Sequence, residues 1–478
     1  MVKRGTIVNR GDIMPELPEV ETVKRGLEKE LVGLKIVSFN LLYPRLLKTD
    51  KETLEKNAVD STIVSLSRKG KYLIINLSSS YSLLFHFRME GKLFHLSDLE
   101  SNLNKHVSIY FTLNDGSYLI FNDTRKFGVM YLVKTEGMEY EEPLCKVGKE
   151  PWDIYSPQYL LNAFKKDNRA IKEAIMDQTI IAGLGNIYAD EVLFASNINP
   201  FKKAKEMSEK DVSNIVSNSR IILDQAIQNR GSTVRSYHPS KGVSGGMQNF
   251  LKVYGREHLA CYNCDTIIEK RYLGGRGTCY CPKCQHVKPS LALTGKIASG
   301  KSLVLSMLAK LGFKVASADE IVHELYKDQK YLNKLKDKFP VVFDEKGLNK
   351  KLVIENMMSD KKFRRNYQNF IWSEVKDKIN SFMIDNSEDY KAVEVPLLYE
   401  AKMDKDFTYI IGVETDRQVD FLKKRNDEDP RKRLQMNSIN TYDIHRHEMD
   451  FIIFNKQDED DLYSHVLSIV KAIKEKWD

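Results

Sequence analysis

The sequence predicts a multidomain chain in which a β-sandwich, an all-helical domain and a cysteine ribbon precede an α/β domain with a parallel sheet. Three observations carry this. Apolar and polar residues alternate over short runs through residues 15–140, and the apolar spacing changes to three and four over residues 157–230. Five of the six cysteines then fall within the 24 residues from Cys261 to Cys284. From Leu291 a short apolar strand, a Gly-rich loop and a helix-like run open a new pattern, and strands alternate with charged helices as far as Asp478. At about 100–200 residues per domain, this length suits two to four domains.

One helix, from about Pro18 to Leu31, opens the sandwich. Tyr72–Leu77, Ser82–Phe87 and Val107–Thr112 read as strands, and Asn114-Asp-Gly-Ser117 carries turn chemistry. In the helical stretch Tyr188, Val192 and Ala195 recur at helical spacing, and Val212, Ile215, Val216, Ile222, Leu223 and Ala226 share a face. Residues 231–250 are rich in Gly and Ser and predict a mobile loop. Only Gln285 to Ser290 separates the last cysteine from the strand Leu291-Ala-Leu-Thr294, and Tyr409–Val413 is a later strand of the same kind. The expected domains are residues 15–145 (sandwich), 146–240 (helical), 241–285 (loop and ribbon) and 291–478 (α/β).

The net charge of +8 belongs to the first part. Residues 1–289 hold 41 Lys and Arg against 33 Asp and Glu, and residues 290–478 hold 33 of each. A basic first part suits a polyanion, since each phosphate contact releases counterions. No run approaches the ~18 consecutive apolar residues of a membrane helix. Met1 to Ile13 carries no targeting pattern, so a cytoplasmic protein without a membrane partner is expected, working as a monomer.

Cys261 and Cys264 form a C-x2-C pair, and Cys281 and Cys284 form another after sixteen residues. Four thiolates at this spacing can close a tetrahedron around one structural Zn²⁺, and the clustering favours a metal site in a reducing compartment over disulfides. Cys279 could compete as a ligand; spacing favours Cys281. Cys145 reads as a plain buried or half-buried thiol. Between the pairs, Gly274-Gly-Arg-Gly277 predicts a tight hairpin tip with Arg276 projecting, a shape suited to a nucleic-acid groove. Gly295-Lys-Ile-Ala-Ser-Gly-Lys-Ser302 fits G-x4-G-K-[ST] after a strand. All eight residues, Gly295, Lys296, Ile297, Ala298, Ser299, Gly300, Lys301 and Ser302, are expected at the ATP. Their amides can cradle phosphates, Lys301 can reach the β and γ phosphates, and Ser302 can hold Mg²⁺ with ATP.

Met14-Pro-Glu-Leu-Pro-Glu-Val-Glu21 resembles the start of formamidopyrimidine-DNA glycosylases. The resemblance continues through Arg68-Lys-Gly-Lys-Tyr72, Phe121-Asn-Asp-Thr-Arg-Lys-Phe-Gly128, Asp177-Gln-Thr-Ile-Ile-Ala-Gly-Leu-Gly-Asn-Ile-Tyr188 and Val253-Tyr-Gly-Arg256 into the cysteine ribbon, about 270 residues in all. It implies a β-sandwich, a helix-two-turn-helix domain and a zinc ribbon, acting on double-stranded DNA that carries oxidised purines such as formamidopyrimidine and 8-oxoguanine. It further implies an N-terminal proline, here Pro15, that forms a Schiff base and leads to β,δ-elimination. Glu16 is then the general acid, Lys71 assists elimination, and Arg276 acts near the lesion. Met89, Arg125 and Phe127 match the residues that fill the gap left by a flipped base. Lys172, His106, Asn186 and Arg256 match positions at the DNA phosphates or base. Taken singly, Lys71 and Lys172 would read as solvated charges, and Met89 and Phe127 as sandwich core. A proline inside a chain has no free amine, so the expectation is a working form that begins at Met14 and is trimmed to Pro15.

The second part resembles dephospho-coenzyme A kinase in the phosphate loop, Ala318-Asp-Glu-Ile-Val-His-Glu-Leu325, Phe343-Asp-Glu-Lys-Gly-Leu348, Val393-Glu-Val-Pro-Leu-Leu-Tyr-Glu400 and Met449-Asp-Phe-Ile-Ile-Phe-Asn455. This implies transfer of the ATP γ-phosphate to the ribose 3′-hydroxyl of dephospho-CoA, with Asp319 as base or orienting carboxylate and Arg425, Arg431 and Arg433 on a lid. Four departures stand out: Ser317 where the family has Asp, Trp372-Ser373 for a His-Pro pair, Leu303 for Thr, and Glu394 for Asp. They leave the phosphate cradle intact and bear on substrate fit. The expected whole is a bifunctional fusion. Its rival is a DNA-binding module without lyase activity, joined to another or a degenerate P-loop kinase.

Overall fold

The computed structural model describes residues 15–232, 245–385, 389–424, 441–456 and 458–477. By contact they form two units, one of residues up to Ile268 with Gly274–Tyr280, the other of Glu269–Leu273 with the chain from Cys281. Met14, residues 233–244 of the expected mobile loop, and the lid residues Arg425, Arg431 and Arg433 lie outside the described residues. Among the described residues, no helix is long and apolar enough to cross a membrane.

In the first unit, helix α1 (Leu17–Leu31) precedes β1 (Ile36–Leu41), α2 (Lys51–Ala58), β2 (Ile63–Lys69), β3 (Tyr72–Leu77), β4 (Tyr81–His86), β5 (Gly91–Leu96), β6 (Val107–Leu113), β7 (Tyr118–Asp123) and β8 (Val129–Lys134). The strands form two four-stranded sheets, ordered β1-β6-β7-β5 and β2-β3-β4-β8, with antiparallel pairing throughout. Alternation turns one face of each sheet inward. Leu73, Ile75, Leu83 and Phe85 of one sheet and Ile109, Phe111, Leu119 and Phe121 of the other share a core. Val20, Val23, Leu27 and Leu31, at spacings of three and four along α1, join the same core.

The helical part holds α3 (Gln158–Phe164), α4 (Ile171–Met176), α5 (Asn186–Ala195) and α6 (Glu209–Gln228). Ser208 starts α6 with a reciprocal cap, its hydroxyl accepting from the Asp211 N–H at 3.1 Å and its own N–H donating to the Asp211 carboxylate at 3.0 Å. Val212, Ile215, Leu223 and Ala226 of α6 pack against Tyr188, Val192 and Leu193 of α5 in one core. Strands β9 (Glu269–Leu273) and β10 (Arg276–Tyr280) are joined through Gly274 and Gly275, both left-handed (φ 55° and 75°). Cys145, expected to be buried or half-buried, is exposed, because it sits on the surface turn Leu144–Lys146.

The second unit contains β11 (Ser290–Thr294), α7 (Lys301–Lys310), β12 (Lys314–Ser317), α8 (Ala318–Leu325), α9 (Gln329–Lys338), the hairpin β13 (Phe343–Asp344) and β14 (Gly347–Leu348), α10 (Lys350–Ser359), α11 (Lys361–Ile384), β15 (Lys391–Glu394), β16 (Tyr409–Glu414), α12 (Gln418–Lys424) and β17 (Phe451–Phe454). A terminal helix, Glu459–Trp477, follows. The sheet runs β12-β15-β11-β16-β17, each neighbouring pair parallel. Both faces are covered, as parallel sheets require. Leu291, Leu293, Ile411 and Val413 meet Val304 and Leu308 of α7 and Val466 and Val470 of the terminal helix. On the other face Ala292, Val393 and Ile410 meet Tyr367, Val375 and Ile379 of α11.

Candidate active sites

Glu16 is the residue most tightly built into the first unit. It lies at the start of α1, is 2% exposed, and aims its carboxyl at the N-terminus of α5. There it accepts from the N–H groups of Gly185 (2.6 Å), Ile187 (2.9 Å) and Tyr188 (3.4 Å). A helix N-terminus offers unpaired donors and a positive dipole end, so it is a natural seat for a carboxyl group. Gly185 is required by this approach, since a Cβ there would lie 2.3 Å from the Glu16 Cδ. Burial pushes the Glu16 carboxyl up to about 7, against the opposing pull of the Lys71 ammonium and the helix amides. Lys71 is itself buried, 6% exposed, and burial draws its pKa down while Glu16 and Glu19 oppose the shift; the Arg276 charge lowers it further. His86, buried close to Arg88 and Lys71, falls to about 3 and is neutral at physiological pH. Pro15 is half-buried and adjacent to Glu16 in the chain.

Met89 sits between β4 and β5, and Arg125 and Phe127 between β7 and β8. The buried Asp123 carboxylate pins the second loop by accepting from the N–H groups of Arg125 (2.9 Å) and Gly128 (2.7 Å). Gly91 and Gly128 both pack on the Phe121 ring, and Thr124 donates to Glu90, so the two loops lie side by side. Phe127 is 52% exposed with the Arg125 guanidinium 5.0 Å from its ring centre, and Met89 is half-buried. Exposure at Phe127 excludes the sandwich-core reading for that ring.

Several of the remaining candidate residues are held by the protein itself. The glycines of Gly183-Leu-Gly-Asn186 were expected to let backbone approach DNA; they admit Leu17 and Glu16 instead. Asn186 donates to the Gly277 carbonyl at 3.1 Å. Lys172, expected at the DNA, has a side chain only 2% exposed and pairs with Asp190 at 2.7 Å. His106 is half-buried in the loop before β6. The Arg256 guanidinium donates to the Ala260 carbonyl at 2.9 Å and stacks 3.5 Å from the Tyr262 ring centre. Arg276 is exposed at the start of β10.

The sulfurs of Cys261, Cys264, Cys281 and Cys284 all lie within 4.8 Å of one another. Four thiolates about 2.3 Å from one ion would stand roughly 3.8 Å apart, so the set fits a tetrahedral metal with little adjustment. Cys279 is not in this set; its N–H donates to Asp190 at 2.9 Å.

In the second unit, residues 295–302 connect the carboxyl end of β11 to α7, the usual place for a ligand in an open parallel sheet. Lys301 is 7% exposed and donates to the carbonyls of Gly295 (3.2 Å) and Lys296 (2.9 Å). The Lys296 ammonium pairs with Asp443 at 2.7 Å. Ala298, expected among the residues that meet ATP, is buried and left-handed at φ 57°. The buried methyl group presents nothing to a ligand, and the backbone N–H is the group expected to serve as a phosphate donor. The Ser302 hydroxyl donates to Glu394, at the end of β15, at 3.0 Å. Burial raises the Glu394 pKa, with Lys301 and Ser302 opposing and the nearby Asp319 and Glu320 charges adding to the rise. Asp319 itself is in the first turn of α8 and is exposed. From the other side the Asn455 amide donates to the Ser299 carbonyl at 3.1 Å, and Gln418 donates to the Ile297 carbonyl at 2.8 Å.

Residues 14–130 match the family model of the formamidopyrimidine-DNA glycosylase N-terminal domain, and residues 147–238 that of the formamidopyrimidine-DNA glycosylase H2TH domain. The formamidopyrimidine-DNA glycosylase of Streptococcus pneumoniae serotype 4 is 41% identical over 273 residues, covering 57% of this chain and 99% of that protein. The chain belongs to the formamidopyrimidine-DNA glycosylase family. The glycosylase of Streptococcus mutans serotype c is similar at 42% over 276 residues, 57% of this chain and 99% of that one. A solved complex between the Lactococcus lactis Fpg and DNA containing an abasic site superposes with TM-score 0.53 at 39% identity, over 57% of this chain and 99% of that one. Beyond the glycosylase part, residues 290–459 match the dephospho-CoA kinase family model, so the chain is a fusion.

Several residues that organise this glycosylase fold were not singled out in the sequence. Glu19 accepts from the Glu16 N–H (3.0 Å), the Tyr188 hydroxyl (2.7 Å) and the Ser232 N–H (2.8 Å). Glu191 accepts from the N–H groups of Lys252, Val253 and Tyr254 at 2.8–2.9 Å and so fixes the Val253-Tyr-Gly-Arg256 segment. Tyr254 is pushed up to about 12 by burial and by the Glu16 charge, so its hydroxyl stays neutral. The motif that contains Tyr254 was the available signal; nothing in the sequence marked Glu191.

Proposed function

We propose that the first unit removes oxidised purines from duplex DNA as a glycosylase and abasic-site lyase, and that the second is an ATP-dependent dephospho-CoA kinase. The observation that carries the first half is the sealed Glu16 carboxyl, raised to about 7 and electrostatically coupled to Lys71, which is itself coupled to Arg276. A carboxyl with that pKa keeps a proton to give near neutrality. With Pro15 as the first residue, its secondary amine attacks C1′ of the damaged nucleotide, while Glu16 protonates the ring oxygen and the C1′–base bond breaks. The product is an iminium between Pro15 and the opened sugar. Lys71 then assists proton removal during elimination, and Arg276 acts at the lesion. Met89, Arg125 and Phe127, on adjoining loops, fill the space of the flipped base. His106, Asn186 and Arg256 face the DNA backbone in this reading. The four cysteines take one Zn²⁺, which holds the hairpin and leaves no open position for catalysis.

In the kinase half the amides of residues 295–302 cradle the ATP phosphates, that of Ala298 among them, and Lys301 neutralises their charge. Ser302, which donates to Glu394, would hold the Mg²⁺ that accompanies ATP. Asp319 orients the ribose 3′-hydroxyl of dephospho-CoA and takes its proton, and Arg425, Arg431 and Arg433 close over the phosphates. The domains are those expected above, residues 15–145, 146–240, 241–285 and 291–478. The setting is the cytoplasm, where free thiols persist, and the working form is a monomer.

One preparation tests both halves. Incubated with an 8-oxoguanine duplex it should release the base and nick the strand, and with ATP and dephospho-CoA it should yield coenzyme A. Failure of either reaction in folded, zinc-loaded protein whose first residue is Pro15 contradicts that half.

A further inference from the structure

We propose that Lys172 is a positioning residue for Arg276, acting through a buried ion pair with Asp190 that grips β10, and that it contacts no phosphate. The inference rests on the glycosylase reading and deepens it. The Lys172 ammonium donates to the Gly277 carbonyl and to the Thr278 hydroxyl, both at 3.0 Å, and is ion-paired with the Asp190 carboxylate at 2.7 Å. Its side chain is 2% exposed and that of Asp190 is 0%. The second Asp190 oxygen accepts from the Cys279 N–H at 2.9 Å, and Asn186 adds another donor to the Gly277 carbonyl. Three consecutive residues of β10, from Gly277 to Cys279, are therefore gripped by side chains from α4 and α5.

Arg276 is the next residue before this grip. On its other side lie Gly274 and Gly275, which have no side chains to anchor the tip. The Glu173 carboxylate comes close to Gly274, where a Cβ would sit 2.5 Å from its oxygen, but it makes no bond to Arg276 in this arrangement. The place of the guanidinium relative to Lys71 and Glu16 is thus set by the backbone at residues 277–279. A buried lysine held by two hydrogen bonds and an ion pair cannot reach a phosphate without breaking that grip. A buried ion pair is a sound device here because it fixes geometry: removing one partner strands the other charge, whereas removing both leaves two neutral groups of similar size.

The test is a set of variants in the full chain with a free Pro15: Lys172→Met, Lys172→Arg, Lys172→Met with Asp190→Asn, Arg276→Ala, and Lys172→Met with Arg276→Ala. Single-turnover base release is read on an 8-oxoguanine duplex, with zinc content and thermal unfolding as folding controls. Lys172→Met should slow base release on the order of a hundredfold, the cost of a reacting group misplaced by about 1 Å. Lys172→Arg should also be slow, since its planar fork cannot reproduce the three-point grip; this variant keeps the test alive if the neutral one fails to fold. The Lys172→Met, Asp190→Asn pair should regain thermal stability, since no charge is stranded, and should stay slow, since neither bond to Gly277 or Thr278 returns. Adding Lys172→Met to Arg276→Ala should cost little more, because residues that act as one unit are not additive. Additive losses in that cycle, full activity of Lys172→Arg, or wild-type base release by the folded charge-neutral pair would each overturn the proposal. A wild-type chain that releases no base overturns the glycosylase reading and this inference with it.

Discussion

A proton on Glu16 is what the glycosylase step needs, and burial supplies it. The carboxyl sits near 7 because desolvation outweighs both Lys71 and the α5 amides. The protonated form is the donor, so the Glu16 contribution is present below about 7 and is lost as pH rises through that value, while protonation of the Pro15 amine slows base release on the acid side. Glu16→Gln should cost about 10²–10⁴ in base release and remove the alkaline limb. Borohydride trapping on a preformed abasic site should survive, since that sugar has no base to expel. A Glu16→Gln enzyme with the wild-type pH profile would contradict the assignment. Lys301→Ala should lower coenzyme A formation on the order of a thousandfold through lost charge stabilisation, with base release as the folding control. Phosphoryl transfer at the wild-type rate would show that Lys301 does not face the nucleotide. Pro15, Glu16 and Lys71 were legible because motifs fixed their places. Glu19, Asp190 and Glu191 were not, because a buried carboxylate and a solvated one look alike in a helix sequence. The Asp190 partner of Lys172 was hidden for the same reason, being eighteen residues away on another helix.

Strands and helices were read well where their periods are long. The alternation of Val107–Leu113 and the three-and-four spacing of α6 survive in the structure as one buried face each. The loops were read less well, since what a glycine admits depends on a neighbour distant in sequence, as Gly185 shows with Glu16. The phosphate loop carries a second such case. Its motif located all eight residues but could not tell that the Ala298 methyl is buried, since a loop pattern specifies backbone and not packing. Gly300 is left-handed at φ 98°, and a Cβ there would stand 2.2 Å from the Asn455 amide nitrogen. Gly300→Ala should abolish ATP binding in equilibrium titration while thermal unfolding of the glycosylase unit is unchanged. Undiminished ATP binding would mean that Asn455 does not set the loop. In the ribbon, Cys264→Ser removes one of four ligands; it should release the metal, loosen residues 261–284 and weaken binding to duplex DNA. DNA affinity and base release that persist undiminished in the zinc-free variant would rule out a structural metal.

Across the whole molecule, the charge imbalance is confined to the part that matches the glycosylases, and the neutral part matches the kinases. That division was visible because the two halves differ in period, in charge and in motif. The division by contact was not, for it assigns β9 to the second unit although the strand lies among the cysteines. The lyase chemistry turns on a single atom, the nitrogen of Pro15. Within a longer chain that nitrogen is a tertiary amide without a lone pair to give. Schiff-base formation therefore requires a working form in which Pro15 is the first residue, and Met14 followed by Pro provides a route to it. The most direct measurement is borohydride trapping of the protein, isolated from its own cells, on an 8-oxoguanine duplex, followed by mass mapping of the crosslinked peptide. A crosslink at the nitrogen of an N-terminal Pro15 is the expected result. A crosslink at Lys71 or another lysine, or base release by a chain that still carries residues ahead of Pro15, would contradict the account.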